Sequence, residues 1–341
     1  MIRVVVDAMG GDNAPDEIIK GAVEAIGRSE SIMVKLVGPE DVVKEKLSAY
    51  QYDADRIQVV PASEVITNEE APTTAIRRKK DSSIVVGMNL VKKGEGDAFV
   101  SCGSTGAVLV GGQTIIGRIK GVKRPPLAPL LPTVNGLSLL IDCGANVDAR
   151  AEHLVQFAKM GSIYMRDVVG VPNPKVALVN IGAEEEKGNA LVKETMPLLK
   201  ECKDINFIGS IEARNIPYGE ADVIVCEAFV GNVVLKMFEG VGMALIKEIK
   251  SAMLSSFRGK LGALLVKPSL KAVLKKFDSS EQGGAPMLGL NSLVVKAHGS
   301  SNHKEVCNAI LQCVAFTEQQ ISEKIKSCIS ADNEEVTTNG I

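Results

Sequence analysis

Tryptophan is absent from this 341-residue chain, and aromatic residues make up only 4% of it. The formal net charge is −2, with 39 basic and 41 acidic residues nearly in balance. Surfaces that bind nucleic acid need clustered positive charge and aromatic rings on which bases stack. The composition therefore argues against nucleic acid as a partner.

Histidine and closely spaced cysteine are also scarce. The chain has three histidines, and none of its seven cysteines forms a C-x-x-C pair, which argues against a zinc site. The cysteines lie mostly in apolar runs, which predicts reduced core thiols in a cytoplasmic protein. The N-terminus shows no charged-then-apolar leader. No uninterrupted apolar run reaches the roughly 18–20 residues that span a bilayer. We therefore expect any membrane contact to be peripheral.

Short runs of Val, Ile and Leu alternate with longer amphipathic stretches. This alternation predicts an α/β/α fold with a largely parallel sheet. The predicted strands are 3–7, 33–37, 57–60, 98–101, 138–142, 176–180, 206–209, 223–226 and 293–297. The predicted helices are 16–28, 73–93, 105–117, 149–169, 189–202, 232–253 and 304–327. No linker-like tract divides the chain, so we expect one continuous unit with two lobes over residues 1–330 and a polar, flexible tail at 331–341.

Six loops at predicted strand ends are rich in Gly, Asn, Asp and Ser. Ligands of parallel sheets gather at the carboxyl ends of the strands, so these loops predict one shared polar cleft. The loops are DAMGGDNAP (7–15), SCGSTGA (101–107), DCGANVD (142–148), NIGAEEEKGN (180–189), CEAFVGN (226–232) and AHGSSNHK (297–304). The candidate cleft residues are Asp7, Asp12, Asn13 and Asn146.

The SCGSTGA turn has two interpretations. It is a tight strand–helix turn with Ser104 or Thr105 as the helix N-cap, or it binds phosphate through Gly103, Ser104, Thr105 and Gly106. No lysine follows the last glycine, so it is not a Walker loop, and DAMGGDNAP lacks the G-x-G-x-x-G spacing. Paired carboxylates at metal-ligand spacing are also missing. We therefore expect no nucleotide cofactor and no metal.

Three further side chains at predicted strand ends are candidates for chemistry. Lys187 follows three glutamates: it belongs to a solvated, charge-balanced loop or neutralises an anion. Asn232 is either a helix N-cap or a hydrogen-bond donor to a polarised carbonyl. His298 is either a structural hydrogen-bonding group or a base. A run of cations at 77–80 either lies on a solvated helix face or reaches an anionic substrate.

Residues 243–277 differ from the rest of the chain. They hold eight Lys or Arg residues and one Glu, and Leu245, Ile249, Met253 and Phe257 recur at four-residue intervals. This pattern predicts a basic amphipathic helical hairpin. It suits core helices or a dimer interface, and equally an anionic membrane surface or an acidic partner protein.

Eight motifs in order across residues 5–302 resemble the bacterial acyl-[acyl-carrier-protein]:phosphate acyltransferases of phospholipid synthesis, the PlsX family. They are DAMGGDNAP, RRKKDSS, SCGSTGA, DCGANVD with EHLVQFAKMGS, NIG with KGN, FVGNVVLK, GGAPMLGLN and AHGSSN. The resemblance implies a three-layer α/β/α sandwich, similar to phosphotransacetylases and to isocitrate and isopropylmalate dehydrogenases. It also implies that a fatty acyl group passes from acyl carrier protein to inorganic phosphate.

The resemblance further implies a homodimer, peripheral membrane association, and a glycerol-phosphate acyltransferase that uses the product. By matching motifs, Lys187 and Asn232 are the family's active-site residues. As a hypothesis, residues 103–106 hold phosphate, Lys187 screens its charge, Asn232 polarises the thioester, and His298 assists the leaving thiol. The expected membrane or carrier-protein contacts are Leu261, Leu264, Leu265, Lys267, Lys271 and Lys275. The alternatives are a phosphotransacetylase-like acyl-CoA enzyme, a hydroxyacid dehydrogenase and a membrane scaffold.

Overall fold

Eleven strands in two sheets form the framework of the computed structural model. The model describes residues 1–277 and 279–338, without the side chains of residues 272, 275, 279, 280 and 332–338. The strands are β1 (Ile2–Asp7), β2 (Ile32–Gly38), β3 (Ile57–Pro61), β4 (Ala98–Ser101), β5 (Leu130–Thr133), β6 (Gly136–Ile141), β7 (Lys175–Asn180), β8 (Asn206–Glu212), β9 (Val223–Val225), β10 (Ala285–Met287) and β11 (Leu293–Lys296).

Within the described ranges, eleven α-helices connect or follow these strands. They are α1 (Asp16–Arg28), α2 (Glu40–Leu47), α3 (Pro72–Arg78), α4 (Ser83–Lys92), α5 (Thr105–Gly111), α6 (Ala151–Tyr164), α7 (Ala190–Glu201), α8 (Ala228–Leu254), α9 (Phe257–Lys276), α10 (His303–Glu318) and α11 (Ile321–Thr338). A π-helical turn continues α5 over Gly112–Ile116 and another continues α6 over Met165–Val169.

The chain divides into two compact units, each with one sheet. The first unit comprises Met1–Pro129, Lys159–Pro174 and Ser280–Ile341. Its strand order is β10-β11-β4-β1-β2-β3, and all neighbours are parallel except β10 and β11. Val4, Val5 and Val6 of β1 are buried on both faces, as expected for a central parallel strand. In α1, the apolar residues recur on one face, and Gly21 allows close packing because a Cβ there would lie 2.6 Å from Val306 of α10.

The second unit comprises Leu130–Ala158 and Lys175–Ser279. Its strand order is β5-β6-β9-β7-β8, with only β5 and β6 antiparallel. Its core includes Leu140, Ala177 and Ile224 from three neighbouring strands. The predicted α/β class with largely parallel sheets is therefore confirmed, and the strands divide between two sheets.

Several predicted element boundaries are wrong. The predicted helix 73–93 is two helices, because Ser82 caps α4 by accepting a hydrogen bond from the Val85 N–H. The predicted helix 304–327 is also two, separated at Gln320, whose φ is +51°. The sequence pattern did not identify α2, β5 or β10. Helix α11 extends to Thr338, and residues 339–341 lie outside the described part. A flexible tail at 331–341 stays a prediction.

Candidate active site

In the first unit, the polar loops lie at the carboxyl ends of β1, β4 and β11. Both β1 and β11 pair in parallel with β4, so these ends share one edge of the sheet. The Asp12 N–H donates to the Gly299 carbonyl at 2.7 Å. The Asn13 side-chain amide donates to the carbonyls of Ser300 and Ser301. The structure therefore brings together two of the predicted loops, residues 7–15 and 297–304.

The turn expected to bind phosphate leads from β4 into α5. Ser104 is the N-cap, since its Oγ accepts a hydrogen bond from the Ala107 N–H, which confirms the capping interpretation. The Gly103 N–H donates to the Ser101 Oγ at 3.0 Å and is not available to a phosphate. Among the described residues, the N–H groups of Ser104, Thr105 and Gly106 have no protein acceptor. The remaining donors of the turn are therefore these three.

A second helix begins beside this turn. A Cβ on Gly106 would lie 2.4 Å from Pro72 Cγ, so the first residue of α3 packs against the first turn of α5. Helix α3 has no side-chain cap, and the exposed Thr73 and Thr74 follow Pro72. Two helix N-termini with hydroxyl side chains therefore meet here. In the sequence, Pro72 followed by two threonines indicates the start of this helix.

Asp7 lies buried beneath the turn, with 1% of its surface exposed. Its carboxylate accepts hydrogen bonds from the Ser101 hydroxyl at 2.6 Å and from the Met9 N–H. Burial raises the pKa of Asp7, while hydrogen bonds from Ser101 and Ser83 and the charge of Lys296 oppose that rise. Asp7 therefore supports the loops from below and does not face solvent.

Lys296 is a buried lysine at the end of β11. Its ammonium donates to the carbonyl of Cys102 at 3.4 Å and to that of Ala297. Nothing in the sequence pattern singles it out, because it is the last residue of an apolar strand. Burial raises the pKa of the Cys102 thiol to about 12, so this cysteine provides no thiolate nucleophile at neutral pH.

His298 is exposed at the same edge of the first sheet. Its Nδ1 accepts a hydrogen bond from the Ser300 N–H at 3.2 Å and lies 2.8 Å from the Ser300 Oγ. In the neutral ring this acceptor role assigns the proton to Nε2. The structural hydrogen-bonding interpretation is therefore confirmed for Nδ1.

In the second unit, Asp142 and Asn146 organise the loop after β6. The fully buried Asp142 carboxylate accepts hydrogen bonds from the Gly144 and Ala145 N–H groups and, at 2.7 Å, from the Asn146 amide. The Asn146 carbonyl accepts a hydrogen bond from the Ala228 N–H. Asn146, predicted as a cleft residue, is itself buried and joins this loop to the start of α8.

The interpretation of Asn232 as an N-cap is wrong. Helix α8 begins at Ala228, and its N-cap is Glu227, whose carboxylate accepts two N–H groups of the first turn. Asn232 lies exposed in the second turn, and its side-chain amide has no hydrogen-bond partner among the described residues. Gly231 is required beside it, because a Cβ there would lie 1.9 Å from the Asp142 carbonyl oxygen.

Lys187 lies in the exposed loop between β7 and α7. Its ammonium is 2.8 Å from the nearer carboxylate oxygen of Glu184. This hydrogen bond and the charge of Glu184 raise the pKa of Lys187. The same hydrogen bond and the charge of Lys187 lower the pKa of Glu184. Lys187 is therefore a cation at neutral pH. A second ion pair joins Glu185 to Lys200, so the charge-balanced interpretation of this loop is confirmed.

The cation run at 77–80 does not lie on one helix. Helix α3 ends at Arg78, and Lys79 pairs with Glu70 at 2.7 Å and donates to the Val65 carbonyl. Lys80 donates to the carbonyl of a residue in α3. Arg77, Arg78 and Lys80 are the exposed residues of this run.

Helices α8 and α9 form the predicted hairpin in the second unit. They turn at residues 255 and 256, and both RGKLG and Pro268 lie inside α9. The interpretation as core helices is wrong, because Leu261, Leu264 and Leu265 are 54%, 67% and 75% exposed. Lys267 and Lys271 are exposed, and the side chain of Lys275 lies outside the described part of the chain.

Helix α8 carries an exposed apolar stripe. Its exposed members recur at four-residue intervals and are Phe229, Val233, Met237, Val241, Leu245 and Ile249. Helix α8 is also long and apolar enough to cross a membrane, a criterion that the core helix of a soluble protein meets as well.

The candidate residues thus divide between the two units of the chain. The first unit holds Asp7, Asp12, Asn13, residues 103–106 and His298, and the second holds Asn146, Lys187 and Asn232. A single cleft shared by all six loops stays a prediction. Within the described residues, no group of three or more His, Cys, Asp or Glu side chains is arranged to hold a metal.

Comparison with known proteins identifies the family. Residues 2–324 match the model of a family described as "Fatty acid synthesis protein". The chain is 49% identical over 328 residues to a phosphate acyltransferase of Clostridium novyi, covering 96% of this chain and 98% of the relative. It is 47% identical over 336 residues to one of Thermoanaerobacter pseudethanolicus, covering 98% and 100%.

Solved structures give the fold. A phosphotransacetylase from Streptococcus pyogenes superposes with a TM-score of 0.63 at 17% identity, covering 93% of this chain and 94% of that one. A branched-chain phosphotransacylase from Enterococcus faecalis gives 0.58 at 14% identity, covering 92% and 98%. The fold is that of the phosphotransacetylases. The chain belongs to the phosphate acyltransferase family and is an acyltransferase, as the motif resemblance indicated.

Proposed function

We propose that this acyltransferase moves a long-chain fatty acyl group from acyl carrier protein to inorganic phosphate, giving acyl phosphate for phospholipid synthesis. The observation that carries the proposal is that neither the buried cysteine thiols nor the turn serine of the described loops is an activated nucleophile. The thiols of Cys102, Cys143 and Cys226 are buried with raised pKa values, and Ser104 is used as a helix cap. Phosphate, already an anion at neutral pH, is then the nucleophile itself.

In the proposed reaction, a phosphate oxygen attacks the thioester carbonyl carbon. A C–O bond forms, the C–S bond breaks, and the thiolate leaves and takes up a proton. The N–H groups of residues 104–106 bind the phosphate, and Lys187 screens its charge. Asn232 donates from its side-chain amide to the carbonyl oxygen as it becomes an oxyanion. The His298 Nε2–H donates a hydrogen bond to the leaving thiolate, and the thiolate takes up the proton that the attacking hydrogenphosphate loses.

The hairpin is the surface we assign to larger partners. Leu261, Leu264 and Leu265 suit insertion into a lipid surface, and Lys267 and Lys271 suit the acidic carrier protein. The α8 stripe suits a homodimer contact. Peripheral attachment of a cytoplasmic enzyme would release the acyl phosphate near a membrane-bound glycerol-phosphate acyltransferase.

Comparison of thioester donors tests the proposal. The protein is incubated with phosphate and either palmitoyl-acyl carrier protein or palmitoyl-CoA, and acyl phosphate is trapped with hydroxylamine as the hydroxamate. We expect product from the carrier-protein thioester at a kcat/KM at least about tenfold above that from the CoA thioester. A preference for the CoA thioester would establish the alternative, a phosphotransacetylase-like enzyme, which the structural neighbours favour. Product from neither donor would refute the proposal.

A further inference from the structure

One buried amide closes the loop that carries Lys187. Asn180 is the last residue of β7 and is 6% exposed. Its Nδ2 donates to the Lys187 carbonyl at 3.2 Å and to the Ser210 Oγ of β8 at 3.3 Å. Its Oδ1 accepts a hydrogen bond from the Ile181 N–H at 2.8 Å. The same side chain therefore joins the first residue of the loop, the neighbouring strand and the main chain of Lys187.

Two glycines make this arrangement possible. Gly188 has a φ of +109°, and a Cβ there would lie 2.6 Å from Asn180 Oδ1. A Cβ on Gly182 would lie 2.5 Å from Lys187 Cδ. The amide can reach the main chain because residue 188 has no side chain, and the lysine stem lies across residue 182 for the same reason.

Among the described residues, the Lys187 ammonium pairs with one side chain, the exposed carboxylate of Glu184. Exposed ion pairs hold a side chain weakly. The fixed part of Lys187 is therefore its backbone, which the Asn180 amide and the turn from the Glu184 carbonyl to the Lys187 N–H hold in place. The position from which the ammonium extends depends on these two bonds.

We propose that Asn180 is a positioning residue for Lys187. This inference deepens the proposed function, since it takes Lys187 as the group that meets phosphate. Asn180 touches no reactant, and it acts by fixing the backbone from which the ammonium reaches the anion. Displacement of a reacting or charged group by about 1 Å is enough to lower a rate up to about a hundredfold. The buried amide is then needed for rate more than for folding.

A double-mutant cycle tests this role. Asn180→Asp keeps the size of the side chain and the acceptor for Ile181 but removes the donor to Lys187, and Asn180→Ala removes both. We expect each variant to lower kcat by about ten- to a hundredfold. In the Lys187→Ala background, either change should have no further effect, because the group it positions is gone. The control is Asn215→Ala, which removes an amide of the same unit whose one bond to a described residue is to Glu220, and it should leave kcat unchanged.

Additive losses in the double variant, or wild-type kcat in both single variants, would overturn the inference. Hydrogen exchange of the 181–188 amides gives a readout that does not depend on turnover. Both Asn180 variants should exchange these amides at least about tenfold faster than the wild type does, with the α8 amides unchanged. If the wild type transfers no acyl group, the proposed function fails, and unchanged exchange in the variants would separately refute the anchoring role of Asn180.

Discussion

At the scale of single residues, the proposed chemistry depends on two exposed polar groups in the second unit. The Lys187 ammonium is a cation at neutral pH, as an ordinary lysine is, and Glu184 raises its pKa further. The Asn232 side-chain amide has no hydrogen-bond partner among the described residues. Both are therefore available to a reactant, whereas Asp7, Asp142 and Lys296 are buried and used internally.

We predict that Lys187→Ala and Asn232→Ala each lower kcat at least about a hundredfold, because each removes a group that stabilises charge in the transition state. Thermal unfolding should be unchanged, since neither side chain is buried. The measurement is hydroxamate formation from palmitoyl-acyl carrier protein and phosphate. The matched controls are Lys193→Ala and Asn215→Ala. Near-wild-type turnover in both test variants would contradict the assignment.

The ion pair of Lys187 with Glu184 leads to a second prediction. Phosphate must compete with the Glu184 carboxylate for the same ammonium, so Glu184→Gln should lower the KM for phosphate severalfold with little change in stability, because an exposed pair contributes little to folding. Glu186→Gln, which removes a neighbouring exposed charge, is the control for the change in net charge. A KM for phosphate that rises, or that falls equally in both variants, would show that Glu184 does not compete.

At the scale of elements, the hairpin predicts membrane binding by its exposed leucines. An apolar side chain of this size contributes roughly 1.5 kcal/mol or more when it leaves water, and about 1.4 kcal/mol is a tenfold change in binding. Combined Leu264→Glu and Leu265→Glu substitutions should therefore weaken binding to phosphatidylglycerol-containing vesicles by at least about tenfold. Leu198→Glu on α7 is the control at another exposed leucine. Unchanged sedimentation with vesicles would rule out these leucines as the contact.

A second element-scale prediction concerns the junction of α1 and α10. The Glu17 carboxylate accepts hydrogen bonds from the His303 N–H at 2.6 Å and from its ring nitrogen at 2.7 Å, and these bonds lower the pKa of Glu17. A lowered folded-state pKa gives stability that is present above about pH 4.5 and lost as pH falls through the folded value. Glu17→Gln should therefore reduce the free energy of unfolding at pH 7, measured by urea denaturation, by about 1 kcal/mol. The difference in free energy from the wild type should shrink by pH 3. A constant difference across this range would contradict the linkage.

Periodicity and capping residues predicted many of these elements, and the exceptions have physical causes. The bounds of α1 follow from its apolar spacing and terminal charges. The chain divides into α3 and α4 because Ser82 caps a new helix. The pattern did not predict this cap, because the cation run before Ser82 is compatible with one continuous helix. Asn232 was misplaced because Glu227 is an unusual N-cap, and Asn180 and Lys296 act through partners distant in sequence or on the main chain. Such contacts exist only in the folded chain.

At the scale of the whole molecule, charge is unevenly distributed although the total is only −2. Residues 243–277 carry eight of the basic residues and one acidic residue. A local positive field of this kind attracts an acidic partner and is screened by salt, with a Debye length of about 10 Å at 0.1 M. The chain therefore has a charged docking surface without being a basic protein.

We predict that Lys267→Gln combined with Lys271→Gln raises the KM for palmitoyl-acyl carrier protein severalfold while kcat stays the same, because the two lysines lie outside the loops assigned to chemistry. The KM of this variant should also rise less than that of the wild type between about 50 and 300 mM NaCl, a range over which the Debye length shortens. Lys92→Gln combined with Lys93→Gln, an equal loss of exposed charge in the first unit, should keep the wild-type salt dependence. If both double variants respond to salt alike, net charge steers the carrier protein, and the hairpin is not its docking surface.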